Sequence, residues 1–251
     1  MTRIDVSGVE KQYQQTDAAA LRVLDGVQFT TDENDFVCIL GPSGCGKSTL
    51  MNIIAGLETP TTGAVTVGDE TENTDVCFVF QEPRLLDWRT VRKNVEIALA
   101  GKGVPESEWD DRIQQYLELV GLGSFADEYP RSLSGGMQQR VSIARAMAVE
   151  PDVILMDEPF SSVDEITARQ LRSDLVDIWE DQQRTIVFVT HDATEATYLA
   201  NRVLVMSHRP SEVLVDEKID IDRPRSVDDP TLVELAETFV GELETRAGAQ
   251  H

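Results

Sequence analysis

The apolar run Phe36-Val37-Cys38-Ile39-Leu40 leads directly into Gly41-Pro42-Ser43-Gly44-Cys45-Gly46-Lys47-Ser48-Thr49, and residues 47–56 continue in a helical pattern. No other stretch constrains the fold as tightly. The spacing Gly41-x4-Gly46-Lys47-Ser48 lets backbone N–H groups turn inward around phosphates, places the Lys47 charge on the β/γ oxygens, and offers the Ser48 hydroxyl to Mg²⁺. Residues Gly41 to Thr49 are therefore the expected phosphate cradle. A strand that passes through such a loop into a helix is a building unit of an α/β core.

Three further apolar runs end in a polar, chemically able residue. Val76-Cys77-Phe78-Val79-Phe80 stops at Gln81, Val153-Ile154-Leu155-Met156 at Asp157-Glu158, and Ile186-Val187-Phe188-Val189-Thr190 at His191. Short apolar runs without alternation are expected of strands buried on both faces of a parallel sheet. Ligands of open α/β sheets sit beyond the carboxyl ends of the strands, so the four tips are expected to converge on one site. Asp157 suits a Mg²⁺-linked role through metal waters, and Glu158 suits the general base, or the group that orients an attacking water. An apolar strand rarely ends in unpaired charge, which raises both above the other acids of the chain. A lone Gln after a strand is usually a turn residue and a lone His often a satisfied core group, but their common place at strand tips marks both as site residues: Gln81 would reach the metal or its water, and His191 would donate to a γ-phosphate. Tyr13, in Gln12-Tyr13-Gln14, either stacks on a base or is simply a strand residue. A fifth run, Val203-Leu204-Val205-Met206, ends at Ser207-His208 and reads as a strand without chemistry.

Helical patterns separate these runs. Trp109, Ile113, Tyr116, Leu117 and Val120 recur at helical spacing. Met137, Val141, Ala144 and Met147-Ala148 mark one face of a helix from Ser134 that Pro151 stops. Asp164 to Asp181 is predicted helical with Leu171, Leu175, Ile178 and Trp179 inward, and a last helix is expected from Pro230 to Glu244 with a frayed tail. The opening sixty residues, with turns at Thr31-Asp35 and Thr59-Gly63, read as antiparallel. The expected layout is a single domain over 1–245: about 1–87 and 151–222 form a mostly parallel core with an antiparallel N-terminal β subdomain. About 88–150 is a helical insert, 223–245 a C-terminal helix, and 246–251 a tail.

The 251 residues carry 45 acidic and 22 basic side chains, a net charge of −23. Such a surface argues against nucleic acid or an anionic membrane as a direct partner. It would also repel an anionic ligand. At about 1 M salt the Debye length falls to ~3 Å and that long-range repulsion is removed, so a salt-rich, halophilic cytoplasm is the expected setting, with an ordinary acidic protein of dilute cytosol as the alternative. Cys38, Cys45 and Cys77 show no CxxC or metal spacing and read as small buried residues of a reducing compartment. No apolar run approaches the ~18 residues that cross a bilayer, and residues 1–6 lack the apolar core of a secretory signal.

A second anion grip lies in Leu133-Ser134-Gly135-Gly136-Met137-Gln138-Gln139-Arg140, where Ser134, Gly135 and Gly136 open a helix. With the P-loop, with Asp157-Glu158-Pro159-Phe160-Ser161-Ser162-Val163-Asp164, and with Thr190-His191-Asp192, this stretch resembles the ATP-binding-cassette ATPases, the nucleotide-driven subunits of ABC transporters. The resemblance covers about residues 4–245. It implies a P-loop NTPase fold with a helical insert, binding and hydrolysis of ATP with Mg²⁺, and a homodimer packed head to tail. In that arrangement each nucleotide lies between the P-loop of one copy and the Ser134 helix of the other. It also implies an integral membrane permease, an indirect solute-binding partner, and a cytoplasmic place on the inner face of the cell membrane.

Asp157-Glu158-Pro159-Phe160, the run His191 to Val203, Met206-Ser207-His208-Arg209-Pro210 and Asp222-Arg223-Pro224-Arg225 are similar to the nitrate/sulfonate/taurine importer branch. Ser162-Val163 stands where Ala-Leu is usual, and Asn34-Asp35 where Gly-Glu is common. Gln81-Glu82-Pro83-Arg84-Leu85-Leu86-Asp87-Trp88 corresponds to the region that receives a permease coupling helix. Leu85, Leu86 and Trp88 are then a docking patch, or alternatively packing within the insert. A soluble cassette ATPase with no permease is the competing reading; against it, no long coiled-coil insert separates the P-loop from Asp157, and there is no second cassette. A GTPase would need an Asn/Thr-Lys-x-Asp selector, which the chain lacks.

Overall fold

In the computed structural model, which describes residues 2–15, 18–69 and 74–248, every predicted apolar run is a strand. The first half of the chain holds β1 (Ile4–Gln15), β2 (Ala18–Thr30), β3 (Phe36–Leu40), α1 (Lys47–Ile54), β4 (Thr62–Val67), β5 (Val76–Val79), α2 (Val91–Gly101) and α3 (Trp109–Leu119). The second half holds α4 (Gly135–Met147), β6 (Val153–Asp157), α5 (Glu165–Gln182), β7 (Thr185–Thr190), α6 (Ala193–Leu199), β8 (Arg202–Met206), β9 (Val213–Lys218) and α7 (Pro230–Gly248). The chain divides into two compact units, Met1–Thr74 with Arg184–His251, and Asp75–Gln183. None of the described helices is long and apolar enough to cross a membrane.

In the first unit β3 pairs in parallel with both β7 and β8, and β9 returns antiparallel to β8. All of β3 and β7 is buried, which accounts for their unbroken apolar sequence. A second sheet, in the order β2-β1-β4, is antiparallel throughout, as the opening sixty residues suggest. The turn into β3 explains the Asn34-Asp35 departure. Asn34 has φ +62°, a conformation that Asn tolerates better than most residues. Asp35 accepts from the Asp32 N–H at 2.8 Å and from the Asn201 side chain at 3.1 Å, while Asn201 accepts the Phe36 N–H at 2.9 Å. α7 packs along α6 and runs to Gly248, past the expected end at Glu244. Residues 223–229 are irregular, with a bend at 223–224 and a turn at 227–228, rather than part of that helix.

In the second unit β5 and β6 are parallel, and α2 and α3 pack on α4. β6 is wholly buried, whereas on β5 only Val79 is, contrary to the expectation of burial on both faces. The aromatic side chains there cover each other instead, with Phe78 stacked on Phe80 at 4.3 Å between ring centroids. α4 is more deeply set than its amphipathic pattern predicts. Gln139, Val141 to Ala144, Ala146 and Met147 are buried, but Met137, expected inward, is only half-buried. Ala168 and Val176 join Leu171 and Leu175 on the buried face of α5, and Ile178 and Trp179 are half-buried. Cys38 and Cys45 are buried and Cys77 half-buried, all as free thiols; burial pushes the Cys38 thiol well up, which leaves it inert.

Candidate nucleotide-binding site

Register decides which strand tips stand side by side. Leu40 pairs with Thr190, so Gly41 and His191 leave neighbouring parallel strands at the same level of the first unit. Val79 pairs with Met156, so in the second unit Gln81 and Glu158 follow at matching levels, with Phe80 beside Asp157. The four predicted tips thus fall into two adjacent pairs.

The loop Gly41–Thr49 closes on the N-terminus of α1. Gly46 occupies the N-cap position at φ +128° and supplies no side-chain cap, so the first amides of α1 have no side-chain acceptor. Only glycine serves there, because a Cβ would lie 2.8 Å from Val23 Cγ1 on β2. Lys47 is 4% exposed, and its ammonium donates to the carbonyls of Gly41 at 2.8 Å and Pro42 at 3.1 Å. A buried ammonium at the start of a glycine-capped helix is a fit for a polyphosphate, with the exposed Ser48 one position on for its cation. Ser43 and Gly44 are exposed, Pro42 and Thr49 half-buried, and Cys45 buried. Tyr13 on β1 is 36% exposed, with Glu58 and Thr49 as hydrogen-bonding neighbours of its hydroxyl and the Lys11 ammonium 5.1 Å from its ring centre. Partial burial, then the hydrogen bond with Glu58, raise the Tyr13 phenol above its ordinary value, so the ring stays neutral.

His191 is exposed between β7 and α6. Asp192 caps α6 by accepting from the N–H groups of Thr194 at 2.8 Å and Glu195 at 3.3 Å, and its own N–H donates to the Thr190 hydroxyl at 3.0 Å. At the other end of α6, Arg223 donates to the carbonyls of Tyr198 and Leu199, and Arg225 to those of Thr197 and Ala200 as well as Ile219 and Ile221. Two guanidiniums therefore close the negative end of the helix that begins beside His191.

The second unit carries the remaining candidates. Asp157 is buried at the end of β6, and Glu158 follows half-buried with φ +43°, a left-handed conformation unusual for Glu that fixes the direction its side chain leaves the strand. Ser134 caps α4, its hydroxyl accepting from the Met137 N–H at 3.3 Å; Ser134 and Gly135 are exposed and Gly136 half-buried. Gln81 is exposed at the start of a loop whose backbone is pinned from two helices. From α4, Gln139 donates to the Phe80 carbonyl at 3.0 Å and Arg145 to the Pro83 and Arg84 carbonyls, each at 3.1 Å. From α2, buried Asn94 accepts the Leu86 N–H at 2.8 Å and donates to the Arg89 and Thr90 carbonyls. The Arg84 guanidinium lies 3.7 Å over the Phe80 ring. Trp88 is 71% exposed, while Leu85 and Leu86 are half-buried, so the expected patch is open mainly at its indole.

Gln139, Arg145 and Asn94 are the residues that sequence reading missed. Their signal is a polar side chain on an otherwise apolar helix face, which pattern matching treats as noise but which burial makes costly unless it is bonded.

A family profile described as ABC transporter matches residues 24–161, more than half the chain. An uncharacterized ABC transporter ATP-binding protein of Methanocaldococcus jannaschii is 45% identical over 220 residues, 86% of this chain and 81% of that protein. The aliphatic sulfonates import ATP-binding protein of Bacillus cereus is 37% identical over 244 residues, 96% of each. A solved bacterial ABC transporter cassette, determined as a dimer, superposes with TM-score 0.77 at 33% identity over 87% of this chain and 100% of its own. The same cassette is also known in a post-hydrolysis state with ADP and phosphate. Matching motifs, fold and relatives agree, and the chain belongs to the ABC transporter family as an ATPase cassette.

Proposed function

We propose that this chain is the ATP-hydrolysing subunit of an import system and works as a head-to-tail pair. In each composite site the loop Gly41–Thr49 of one copy holds the phosphates and Ser134, Gly135 and Gly136 of the other cap the γ-phosphate. Tyr13 stacks on the base. Ser48, Gln81 and Asp157 are the residues that would hold Mg²⁺, which supplies neutralising charge at the β/γ oxygens. Glu158 orients the attacking water and accepts its proton, and His191 donates to the γ-phosphate. What supports this reading above all is that one chain carries two glycine-opened helix N-termini, those of α1 and α4. A protein that enclosed its nucleotide alone would have use for one.

In this reading the loop from Gln81 to Trp88, with the helical stretch 88–150, meets an integral membrane permease on the cytoplasmic face. The cargo is a small anion or organic solute, delivered by a solute-binding protein. Similarity to aliphatic-sulfonate import subunits over nearly the whole chain supports that class. The decisive experiment uses Glu158→Gln with MgATP at high salt. Nucleotide binding should persist, turnover should stop, and sedimentation should show a dimer; single chains throughout would defeat the mechanism. Co-purification with the permease, followed by stimulation of ATPase activity by loaded binding proteins, tests the import role.

A further inference from the structure

The turn between β8 and β9 contains Ser207-His208-Arg209-Pro210-Ser211, and nothing so far gives it a task. It is mounted rigidly against the back of the phosphate loop. The Ser211 hydroxyl donates to the Cys45 carbonyl at 2.6 Å, the Ser211 N–H to the Val23 carbonyl at 2.9 Å, and the Ser211 carbonyl accepts the Asp25 N–H at 2.9 Å. The mount delivers one cation to the loop. Arg209 Nη2 lies 3.5 Å from the point where a side chain on Gly44 would begin, and the same guanidinium is near enough to Tyr13 to act on its phenol electrostatically. Arg209 is exposed, and among the described residues it has no hydrogen-bond or ion-pair partner. That is unexpected in a chain where carboxylates outnumber cations 45 to 22.

We propose that Arg209 is a nucleotide-binding residue, whose guanidinium grips the phosphate chain between the base on Tyr13 and the amides of Gly44 to Thr49. The proposal rests on the ATPase reading above and adds to it a contact from outside the loop. Arginine suits the task because it stays charged and its planar fork matches phosphate oxygens. The position between base and loop assigns it to the phosphates nearer the ribose, which ATP and ADP share.

Titration of fluorescently labelled ATP and ADP, with Mg²⁺ and at one fixed KCl concentration, tests this in wild type, Arg209→Gln, Arg209→Lys and Lys47→Ala. Arg209→Gln should weaken both nucleotides about tenfold without lowering the melting temperature, and Arg209→Lys should recover part of that loss. Wild-type affinity in Arg209→Gln would overturn the proposal while leaving the ATPase reading intact. A loss confined to ATP would overturn the placement beside the shared phosphates, and a lowered melting temperature with unchanged affinity would make the residue structural. A wild type that binds neither nucleotide, or binds no more tightly than Lys47→Ala, would remove the ATPase reading itself.

Discussion

The Ser162 carbonyl lies 3.2 Å from where a side chain on Gly136 would begin, with Val163 Cα at 3.5 Å. The unusual pair Ser162-Val163 therefore packs on the second glycine of the anion-gripping helix, while Gly135 has nothing within 4 Å of its corresponding position. Both glycines sit in the first turn of α4, where alanine is intrinsically better by up to about 1 kcal/mol. Gly135→Ala should show that gain as a rise in melting temperature. Gly136→Ala should lose it, because the 161–164 loop must shift by a few tenths of an ångström to make room. Equal melting temperatures for the two variants would mean that the loop moves freely, and that Gly136 is not there for packing.

Arg145 ties the loop from Gln81 to Trp88 to α4. Arg145 is half-buried, desolvation lowers the proton affinity of its guanidinium, and it satisfies the Pro83 and Arg84 carbonyls together. Arg145→Ala leaves those carbonyls to water and should cost about 1.5–3 kcal/mol, the range for a hydrogen bond to a charged group. The local consequence is more diagnostic. Limited trypsin digestion should cut after Arg84 severalfold faster in the variant than in wild type, since the loop loses its ties at Pro83 and Arg84 to α4. An unchanged cutting rate would show that Gln139 and Asn94 suffice to hold it.

Most of the architecture was legible because its strands are apolar without interruption and end in chemistry. Phe36–Leu40, Val153–Met156 and Ile186–Thr190 announce buried parallel strands, and the loop after the first could serve one purpose. β4 and β9 were not legible: the first is exposed or half-buried along its length, and the second opens on the short half-buried run Val213-Leu214-Val215 and ends in three exposed charged residues, so neither has a sustained apolar run. α2 and α6 escaped for a different reason. α6 has only seven residues, and α2 buries Asn94 among its apolar positions, where a polar residue argues against a core face. For the candidate site, motif spacing named the candidate residues, but the pinning of the loop from Gln81 to Trp88 and the clamp of Arg223 and Arg225 on α6 left no such signal. Those are bonds from side chains to distant carbonyls, and carbonyls leave no mark in a sequence.

Tyr13 and Glu58 give the site a measurable pH dependence. Partial burial pushes the Glu58 carboxyl up, but hydrogen bonds from Tyr13 and Lys11 and the Lys11 charge outweigh it, leaving Glu58 below its ordinary value. A carboxyl depressed in the folded state stabilises above its unfolded pKa, and that contribution disappears as pH falls through the folded value. Tyr13→Phe keeps the ring and removes the hydroxyl. Its melting temperature should lie about 1–3 °C below wild type near pH 7, a modest shift because the pair is partly exposed. The gap should narrow as pH falls below the ordinary glutamate range and through the depressed Glu58 value, where Glu58 protonates in both proteins. Nucleotide affinity should survive if the ring alone meets the base. A gap that stays constant throughout an acid titration would assign the loss to packing rather than to Glu58.

The net charge of −23 makes the sharpest prediction about conditions. Ion pairs such as Arg22 with Glu10 and Asp25, or Arg112 with Glu108 and Glu150, share cations among several acids, which shows how scarce positive charge is. Pairing every cation with one acid would still leave 45 − 22 = 23 carboxylates over. Their mutual repulsion opposes the folded state and also repels the nucleotide, and both effects weaken as the Debye length shrinks from ~10 Å at 0.1 M to ~3 Å at 1 M. Melting temperature should therefore climb by about 10 °C between 0.1 and 1 M KCl, and nucleotide affinity should improve over the same interval. Screening saturates once the Debye length falls below the spacing of surface charges. Any further climb between 1 and 3 M would have to come from strengthened apolar burial, and should be larger with potassium sulfate or phosphate than with chloride at equal ionic strength. A protein already at full stability and full nucleotide affinity in 50 mM KCl would show that the acidic surface carries no such cost.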